Sequence, residues 1–322
     1  MKIHILDDWL DTLRGLPCFE MLANHDVTVW TDHEPDPVRL AQHVYAAEAL
    51  VLFRERTKIG AELLSLLPNL RLISQRSVYP HIDLDACTLN GVLLCSDMHS
   101  DTPSYAAAEH TLALMLASYR QIPDQVNSIR NGDWQAGIGR TLRGRILGLY
   151  GYGRIARAVA GYARAIGMKT IWWGSEEGRK RALEDGATIA DSRAAFFGDS
   201  DIVSIHVRLK PGNHGIITAE DLGLMRDRAL FINTSRSGLI APGALEAEVA
   251  KGRICAAVDV FDQEPLTDPA HPLLTHPNVL PTPHIGYVTE DELDLQFTDI
   301  FGQVNAFAAG QPINMINPAV RD

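Results

Sequence analysis

At 322 residues the chain has room for about two domains, each with a substantial core. Its 46% hydrophobic and 21% charged residues are ordinary for a soluble globular protein. A net charge of -11 without a basic stripe argues against a nucleic-acid partner, and no apolar run approaches the length of a membrane span.

The opening MKIHILDDW runs straight into a strand pattern rather than a signal peptide. Short apolar runs at Lys2–Leu6, Val27–Trp30, Ala49–Phe53, Arg71–Ser74 and Val92–Cys95 read as strands of a parallel sheet covered on both faces. Helical patterns at Pro37–Ala46 and Ala61–Leu67 lie between them, so residues 1–101 make a small α/β domain. Two of its post-strand loops are unusually polar: Arg54-Glu55-Arg56-Thr57-Lys58, and Gln75-Arg76-Ser77-Val78-Tyr79. Open α/β sheets bind ligands at the carboxyl ends of their strands, although a solvated charged rim explains these loops equally well.

Near Ser100 the pattern lengthens. Thr102 suits the cap and Pro103 the first turn of a helix whose run from Tyr105 to Tyr119 is rich in Ala and Leu. So apolar a helix is expected to be buried nearly all round and to bridge two domains. A mixed segment, Asn131–Arg143 with Trp134, then leads into Arg145–Gly174, around which the chain is organised. Ile146–Tyr150 reads as a strand, Gly151-Tyr152-Gly153 as a turn, and Ile155, Val159, Tyr162 and Ile166 recur at helical spacing until Gly167; Thr170–Trp173 is the next strand. In this G-x-G-x-x-A pattern Gly151 allows the tight turn, Gly153 lets backbone approach a pyrophosphate, and Ala156 lets the helix pack on its strand. The phosphates would meet the free N–H groups and positive dipole end of the helix.

Further strands at Ile202–Val207, Ala229–Asn233, Ile254–Val260 and Asn278–Leu280 complete a second doubly wound sheet. The expected fold is therefore α/β, two doubly wound parallel-sheet domains, with a Rossmann dinucleotide-binding domain at 102–288 inserted in a domain made of 1–101 and 289–322. Cys18, Cys87, Cys95 and Cys255 lack zinc-site or disulfide spacing and read as reduced core thiols of a cytoplasmic protein.

Three polar residues follow strands of the second sheet: Arg236 after Phe231-Ile232-Asn233-Thr234-Ser235, Glu264 after Val258-Asp259-Val260-Phe261, and His284 within Pro281-Thr282-Pro283-His284-Ile285-Gly286. Chemistry at a carbonyl beside a carboxylate needs such a set: a fixed cation, an acid/base, and a carboxylate that keeps the acid/base protonated. Singly, each has a plainer reading, Arg236 as a surface cation and His284 as a satisfied core histidine.

The order of motifs resembles one family, the D-isomer-specific 2-hydroxyacid dehydrogenases, which includes D-3-phosphoglycerate dehydrogenase and hydroxypyruvate reductase. The matching stretches are AAEHTLALML at Ala107–Leu116, NGDW at Asn131–Trp134, GLYGYGRIA, NTSR at Asn233–Arg236, AVDVFDQEP at Ala257–Pro265 and TPHIGY at Thr282–Tyr287. The resemblance implies a substrate domain made from both chain ends, a central cofactor domain and an active site in the cleft. It gives Arg236 to the substrate carboxylate and carbonyl, His284 to proton transfer, and Glu264 to orienting His284 and raising its pKa. Asp259 matches the residue that holds the nicotinamide carboxamide. Ser104, Gly151, Tyr152, Gly153, Arg154, Ile155, Gly174, Ser175, His206, Val207, Thr234 and Gly286 fall at cofactor-binding positions, and Arg54, Arg56, Ser77, Val78 and Tyr79 at substrate-binding ones. No metal is required, and a homodimer is expected.

Some positions depart from the family pattern. Ser77-Val78-Tyr79 replaces a glycine-rich carboxylate-binding loop, so Tyr79 would narrow the cleft or reach the substrate. Ser237 stands where glycine usually follows the catalytic Arg. Gly174-Ser175 replaces the acidic residue that grips the ribose of NAD, so NAD or NADP is expected to serve, with Arg179, Lys180 or Arg181 near the extra phosphate and Glu176 and Glu177 opposing it. The substrate is expected to be a 2-oxo or 2-hydroxy acid, with Arg54, Arg56 and Arg76 suggesting a second anionic group such as that of 3-phosphoglycerate. The alternative is a non-catalytic NAD(H)-sensing protein, since C-terminal binding protein corepressors resemble these enzymes; the lack of added tails favours the enzyme, and the early chain end argues against an appended regulatory domain.

Overall fold

A computed structural model describes residues 1–98 and 104–321, which divide into two compact units, residues 1–103 with 289–322 and residues 104–288. In the first unit β1 (Lys2–Ile5), β2 (Asp26–Val29), β3 (Ala49–Val51), β4 (Leu72–Arg76) and β5 (Leu93–Asp97) alternate with α1 (Pro37–His43), α2 (Ala61–Ser65) and α3 (Leu84–Leu89). The strands pair in parallel in the order β2-β1-β3-β4-β5, with Leu50, Ile73 and Leu94 fully buried in its core. Asp36 starts α1 by accepting from the Val38 and Arg39 amides, with Pro37 in the first turn, and Asp83 caps α3 in the same way. Strands β4 and β5 run two residues beyond their expected ends, because Gln75 pairs with Ser96 and Arg76 with Asp97; polar residues continue the ladder after the apolar signal stops.

The second unit opens with α4 (Ala106–Arg120) and α5 (Ile122–Arg130). The expected cap and first turn at Thr102 and Pro103 lie outside the described residues. Burial all round is not what α4 shows: Ala108, Thr111, Leu114, Met115 and Tyr119 form one buried stripe, whereas Leu116 is 40% exposed. An Ala- and Leu-rich run satisfies one apolar face by helical spacing alone, so overall apolarity overstated its burial. Gln121, left-handed at φ 53°, then ends the helix, and α5 follows with Pro123 in its first turn, a helix that periodicity did not indicate.

The remaining elements are β6 (Ile146–Tyr150), α6 (Arg154–Ala165), β7 (Lys169–Trp173), α7 (Glu176–Glu184), α8 (Arg193–Asp199), β8 (Ile202–Ile205), α9 (Ala219–Leu224), β9 (Leu230–Asn233), α10 (Ala244–Ala250), β10 (Cys255–Val258), α11 (Pro272–Thr275) and β11 (Val279–Pro281). The six strands are parallel in the order β11-β10-β9-β8-β6-β7, and a single bridge from Trp172 to Ile189 extends the β7 edge. With that bridge in the third strand's place, the order is the 3-2-1-4-5-6 of a Rossmann sheet with β11 added as a seventh strand beside the sixth.

The chain then returns to the first unit through α12 (Glu290–Ala308), capped by Thr289 and carrying three acidic residues in its first turn. Gln303 donates to Ser74 Oγ and Gln75 O at 2.9 Å each, fixing α12 on β4, and Phe297 and Phe301 bury their rings there.

Burial pushes His81 and His206 down to about 4 from an ordinary value near 6.5, with Glu55 offsetting it only in part at His81. A histidine that protonates less readily when folded stabilises the fold above its unfolded value, so stability is expected to decline as pH falls from about 6.5 towards 4. Urea unfolding at stepped pH checks this; a flat profile over that window contradicts it.

Candidate active site

The carboxyl edge of the six-stranded sheet carries the glycine turn. Gly151 follows β6 at φ 107°, and its amide donates to Trp173 O at 2.8 Å. A Cβ there would lie 2.6 Å from His206 O and 2.6 Å from Val207 Cγ1, so only glycine fits. Gly153 caps α6 with no side-chain hydrogen bond, and a Cβ on it would meet nothing within 4 Å. Ala156 is fully buried. The turn therefore leaves the first amides of a 12-residue helix uncapped by any side chain and approachable by backbone-close phosphates, an arrangement that fits a dinucleotide's pyrophosphate. Gly151→Ala combines left-handed strain with overpacking, together about 2–5 kcal/mol. Its dinucleotide Kd is expected to rise at least about tenfold in a fluorescence titration, and an unchanged Kd would refute this account of the turn.

Other candidate cofactor positions surround the turn. Gly174 has φ 149°, and a Cβ on it would come 3.4 Å from Gly151 N. Ser175 uses its hydroxyl to cap α7, accepting from Gly178 N, and exposed Glu176 and Glu177 form that helix's first turn. Arg179 lies with its guanidinium 4.3 Å from the Trp173 ring centroid and donates to Gly174 O at 3.2 Å. Tyr152 donates to Asp185 at 2.6 Å and sets its ring edge-on to Trp172, while Arg154 is exposed and Ile155 half-buried in the first turn of α6. His206 Nε2 lies 2.9 Å from Ser204 Oγ, with Val207 beside Gly151, and half-buried Ser104 precedes α4.

Arg236, Glu264 and His284 follow β9, β10 and β11, three adjacent strands, so the sheet brings their loops to one edge. His284, in left-handed backbone at φ 53°, has Nδ1 2.5 Å from Glu264 Oε2, while Glu264 Oε1 accepts from Phe261 N at 2.8 Å. With Nδ1 facing the carboxylate, Nε2 is the nitrogen left for proton exchange. Tyr287 sets its ring edge-on to His284 at 5.6 Å. Asn233 pins the Arg236 loop by donating to Arg236 O and accepting from Ser235 N; Arg236 itself donates to Ser235 O at 2.7 Å.

Asp259 is 1% exposed and spends its carboxylate on the His284 loop. Oδ1 accepts from Thr282 Oγ1 at 2.6 Å and Ile285 N at 2.9 Å, and Oδ2 accepts from Gly286 N at 2.8 Å. Burial would raise its pKa, but His110, Thr282 and the Ile285 amide outweigh it and hold the carboxyl below the usual range. His110 and Thr282 had no role assigned from the sequence, although each stands in a quoted motif, His110 in AAEHTLALML and Thr282 in TPHIGY.

The substrate-loop candidates belong to the first unit. Arg56 donates to Asp7 O at 2.6 Å and stacks 3.8 Å from the Trp9 ring centroid. Arg76 pairs with Asp299 at 3.1 Å, and Arg54 lies 3.9 Å from Glu292, both partners on α12. Ser77 takes φ 78°, the conformation glycine would adopt, and the Ser77 and Val78 carbonyls accept from the Gln75 side chain. The Tyr79 ring packs against this unit's core. Among the described residues no helix is long and apolar enough to cross a membrane, and no cluster of three or more His, Cys, Asp or Glu could hold a metal ion.

A Rossmann sheet carrying this glycine turn, with a histidine–carboxylate pair and an arginine on the same edge, describes a nicotinamide-dependent dehydrogenase. Residues 112–286 match the NAD binding domain of the D-isomer specific 2-hydroxyacid dehydrogenases. The chain is 34% identical over 319 residues to a glyoxylate reductase of Aeropyrum pernix, covering 94% of this chain and 92% of that one. It is 33% identical over 276 residues to a D-3-phosphoglycerate dehydrogenase of Methanocaldococcus jannaschii, covering 84% of this chain but 52% of that protein, so it spans about half the length of that relative. The crystal structure of a phosphoglycerate oxidoreductase from Vibrio cholerae O395 matches with a TM-score of 0.92 at 42% identity, over 96% of this chain and 99% of that one. The chain belongs to the D-isomer specific 2-hydroxyacid dehydrogenase family, enzymes that act on the CH–OH group of their donors with NAD. These relatives are named as reductases, dehydrogenases or oxidoreductases, which does not favour the corepressor-like alternative.

Proposed function

We propose that the protein reduces a 2-oxo acid to a D-2-hydroxy acid, with residues 102–288 as the dinucleotide-binding domain and residues 1–101 and 289–322 as the substrate domain. The observation that carries this is the 2.5 Å His284–Glu264 contact on the strand edge that also bears Arg236 and the glycine turn. Bound NAD(P)H supplies the hydride. Arg236 holds the substrate carboxylate and stabilises charge growing on the carbonyl oxygen, His284 gives its Nε2 proton to that oxygen, and Glu264 orients the imidazolium.

Glyoxylate or hydroxypyruvate is one substrate class; a 2-oxo acid with a second anionic group is the other. Arg54 and Arg76 line one narrow crevice and favour the second, on condition that they exchange Glu292 and Asp299 for the ligand. Kinetics on glyoxylate, hydroxypyruvate, and phosphorylated and dicarboxylic 2-oxo acids test this. Equal efficiency across the panel removes the second anionic site, and no turnover of any member removes the proposed reaction.

On cofactor choice, Gly174 presents no carboxylate to repel a 2′-phosphate, and Arg179, held on Trp173, is a cation beside it. Both NADH and NADPH are expected to work, and Arg179→Ala is expected to lower kcat/KM for NADPH more than for NADH. A discrimination above about a hundredfold towards NADH, roughly 2.7 kcal/mol, contradicts this. The protein is proposed to be a cytoplasmic homodimer, supported by the exposed Leu116, Ile129, Trp134 and Ile138 around α4 and α5. A monomer mass by light scattering at micromolar concentration contradicts the dimer.

A further inference from the structure

We propose that His110 and Thr111, adjacent on α4, are positioning residues for hydride transfer, each anchoring one of the loops that carry the proposed catalytic groups; this rests on the reaction proposed above. His110 Nε2 lies 3.1 Å from Thr282 Oγ1 and 3.3 Å from Asp259 Oδ1. Thr282 gives its own proton to Asp259, so its oxygen is left to accept, and both atoms require an N–H at His110 Nε2. Asp259 in turn holds the Ile285 and Gly286 amides, which immediately follow His284 in its left-handed turn. A Cβ on Gly286 would come 3.0 Å from Asp259 Oδ2 and 3.6 Å from the His110 ring, so the three groups interlock too closely for the loop to shift alone.

One residue on, Thr111 is fully buried and gives its proton to Ala107 O at 2.8 Å. Its oxygen therefore accepts from Thr234 Oγ1 at 3.0 Å, and Thr234 is two residues before Arg236. Successive side chains on a helix point about 100° apart, which lets one helix reach the ends of β9, β10 and β11. The fork thus fixes the acid/base and the carboxylate-binding cation against one rigid element, and small misplacement of either is costly in rate.

The test compares His110→Gln with His110→Asn. The glutamine amide reaches about as far as Nε2 and the asparagine amide does not, while both stay polar. His110→Asn is expected to lower kcat about 10- to 100-fold with the NADH Kd within about threefold of wild type. His110→Gln is expected to recover most of that loss. Thr111→Val, which keeps the shape and removes the hydroxyl, is expected to raise KM for the 2-oxo acid more than it lowers kcat. A readout independent of turnover is the His284 Nδ1–H proton resonance, assigned by its absence in His284→Ala; it is expected to broaden or shift in His110→Asn and to persist in His110→Gln. Asn and Gln variants that behave alike, or a parallel loss of NADH binding, overturn the inference. An inactive wild type overturns the proposed reaction alone, and the proton resonance then decides the positioning role.

Discussion

His284→Ala is expected to lower kcat by about two to four orders of magnitude while NADH binding stays within a few-fold of wild type. The imidazole is held by Glu264 at 2.5 Å on the loop after β11, whereas the glycine turn follows β6, so its loss removes proton transfer without disturbing the phosphate-binding backbone. Glu264→Gln is expected to act in the same direction less severely, because a side-chain amide still meets Nδ1 but no longer offers a charge. Stopped-flow turnover with an equilibrium NADH titration checks both; equal kcat in wild type and His284→Ala would falsify the assignment of the acid/base.

The second large effect is on stability. Arg193 opens α8 and grips Asp221 with two hydrogen bonds of 2.6 Å, while also donating to Ile216 O and, at 3.2 Å, to the Tyr150 hydroxyl immediately before the glycine turn. Asp221 is 4% exposed and caps α9 through Thr218, so Arg193→Ala strands a buried carboxylate. Losing one partner of a buried pair costs about 3–5 kcal/mol, and the 36% exposure of the Arg193 side chain places this one near the low end, about 3 kcal/mol. Thermal unfolding is expected to move down by about 6–12 °C. Burial alone would raise the Asp221 pKa, but Arg193 and Thr218 hold it below the usual value. A carboxyl that binds protons less readily when folded stabilises the protein above about pH 4 and loses that contribution as pH falls further. The wild type should therefore lose its advantage over Arg193→Ala in acid; an equal gap at pH 7 and pH 3 contradicts the pairing.

What could be read in advance follows from how local each constraint is. Gly151, Gly153 and Ala156 were legible because they stand at fixed spacing between two strand patterns, although the atoms that enforce glycine at position 151, His206 O and Val207 Cγ1, are remote in sequence. The strand-end positions of Arg236, Glu264 and His284 were legible because polar residues abruptly follow apolar runs. The partners of Arg54 and Arg76 were not, since Glu292 and Asp299 come from α12 at the far end of the chain and only the fold makes them neighbours. Position 77 departs from the family's glycine in side chain while keeping a glycine-like backbone at φ 78°, which no propensity indicates. The motif holding His110 was visible, but its job depends on Asp259 and Thr282, brought to α4 by the order of β10 and β11.

The most direct test of the proposed reaction is the chirality of its product. Purified protein incubated with NADH and the 2-oxo acid it reduces fastest, chosen so that the product has a stereocentre, is followed by chiral chromatography. Membership in a D-isomer specific family predicts the D-2-hydroxy acid in essentially complete excess, and the roles of Arg236, Glu264 and His284 predict at least about a hundredfold slower formation by His284→Ala. An L or racemic product, or dinucleotide bound without any hydroxy acid formed, would contradict it.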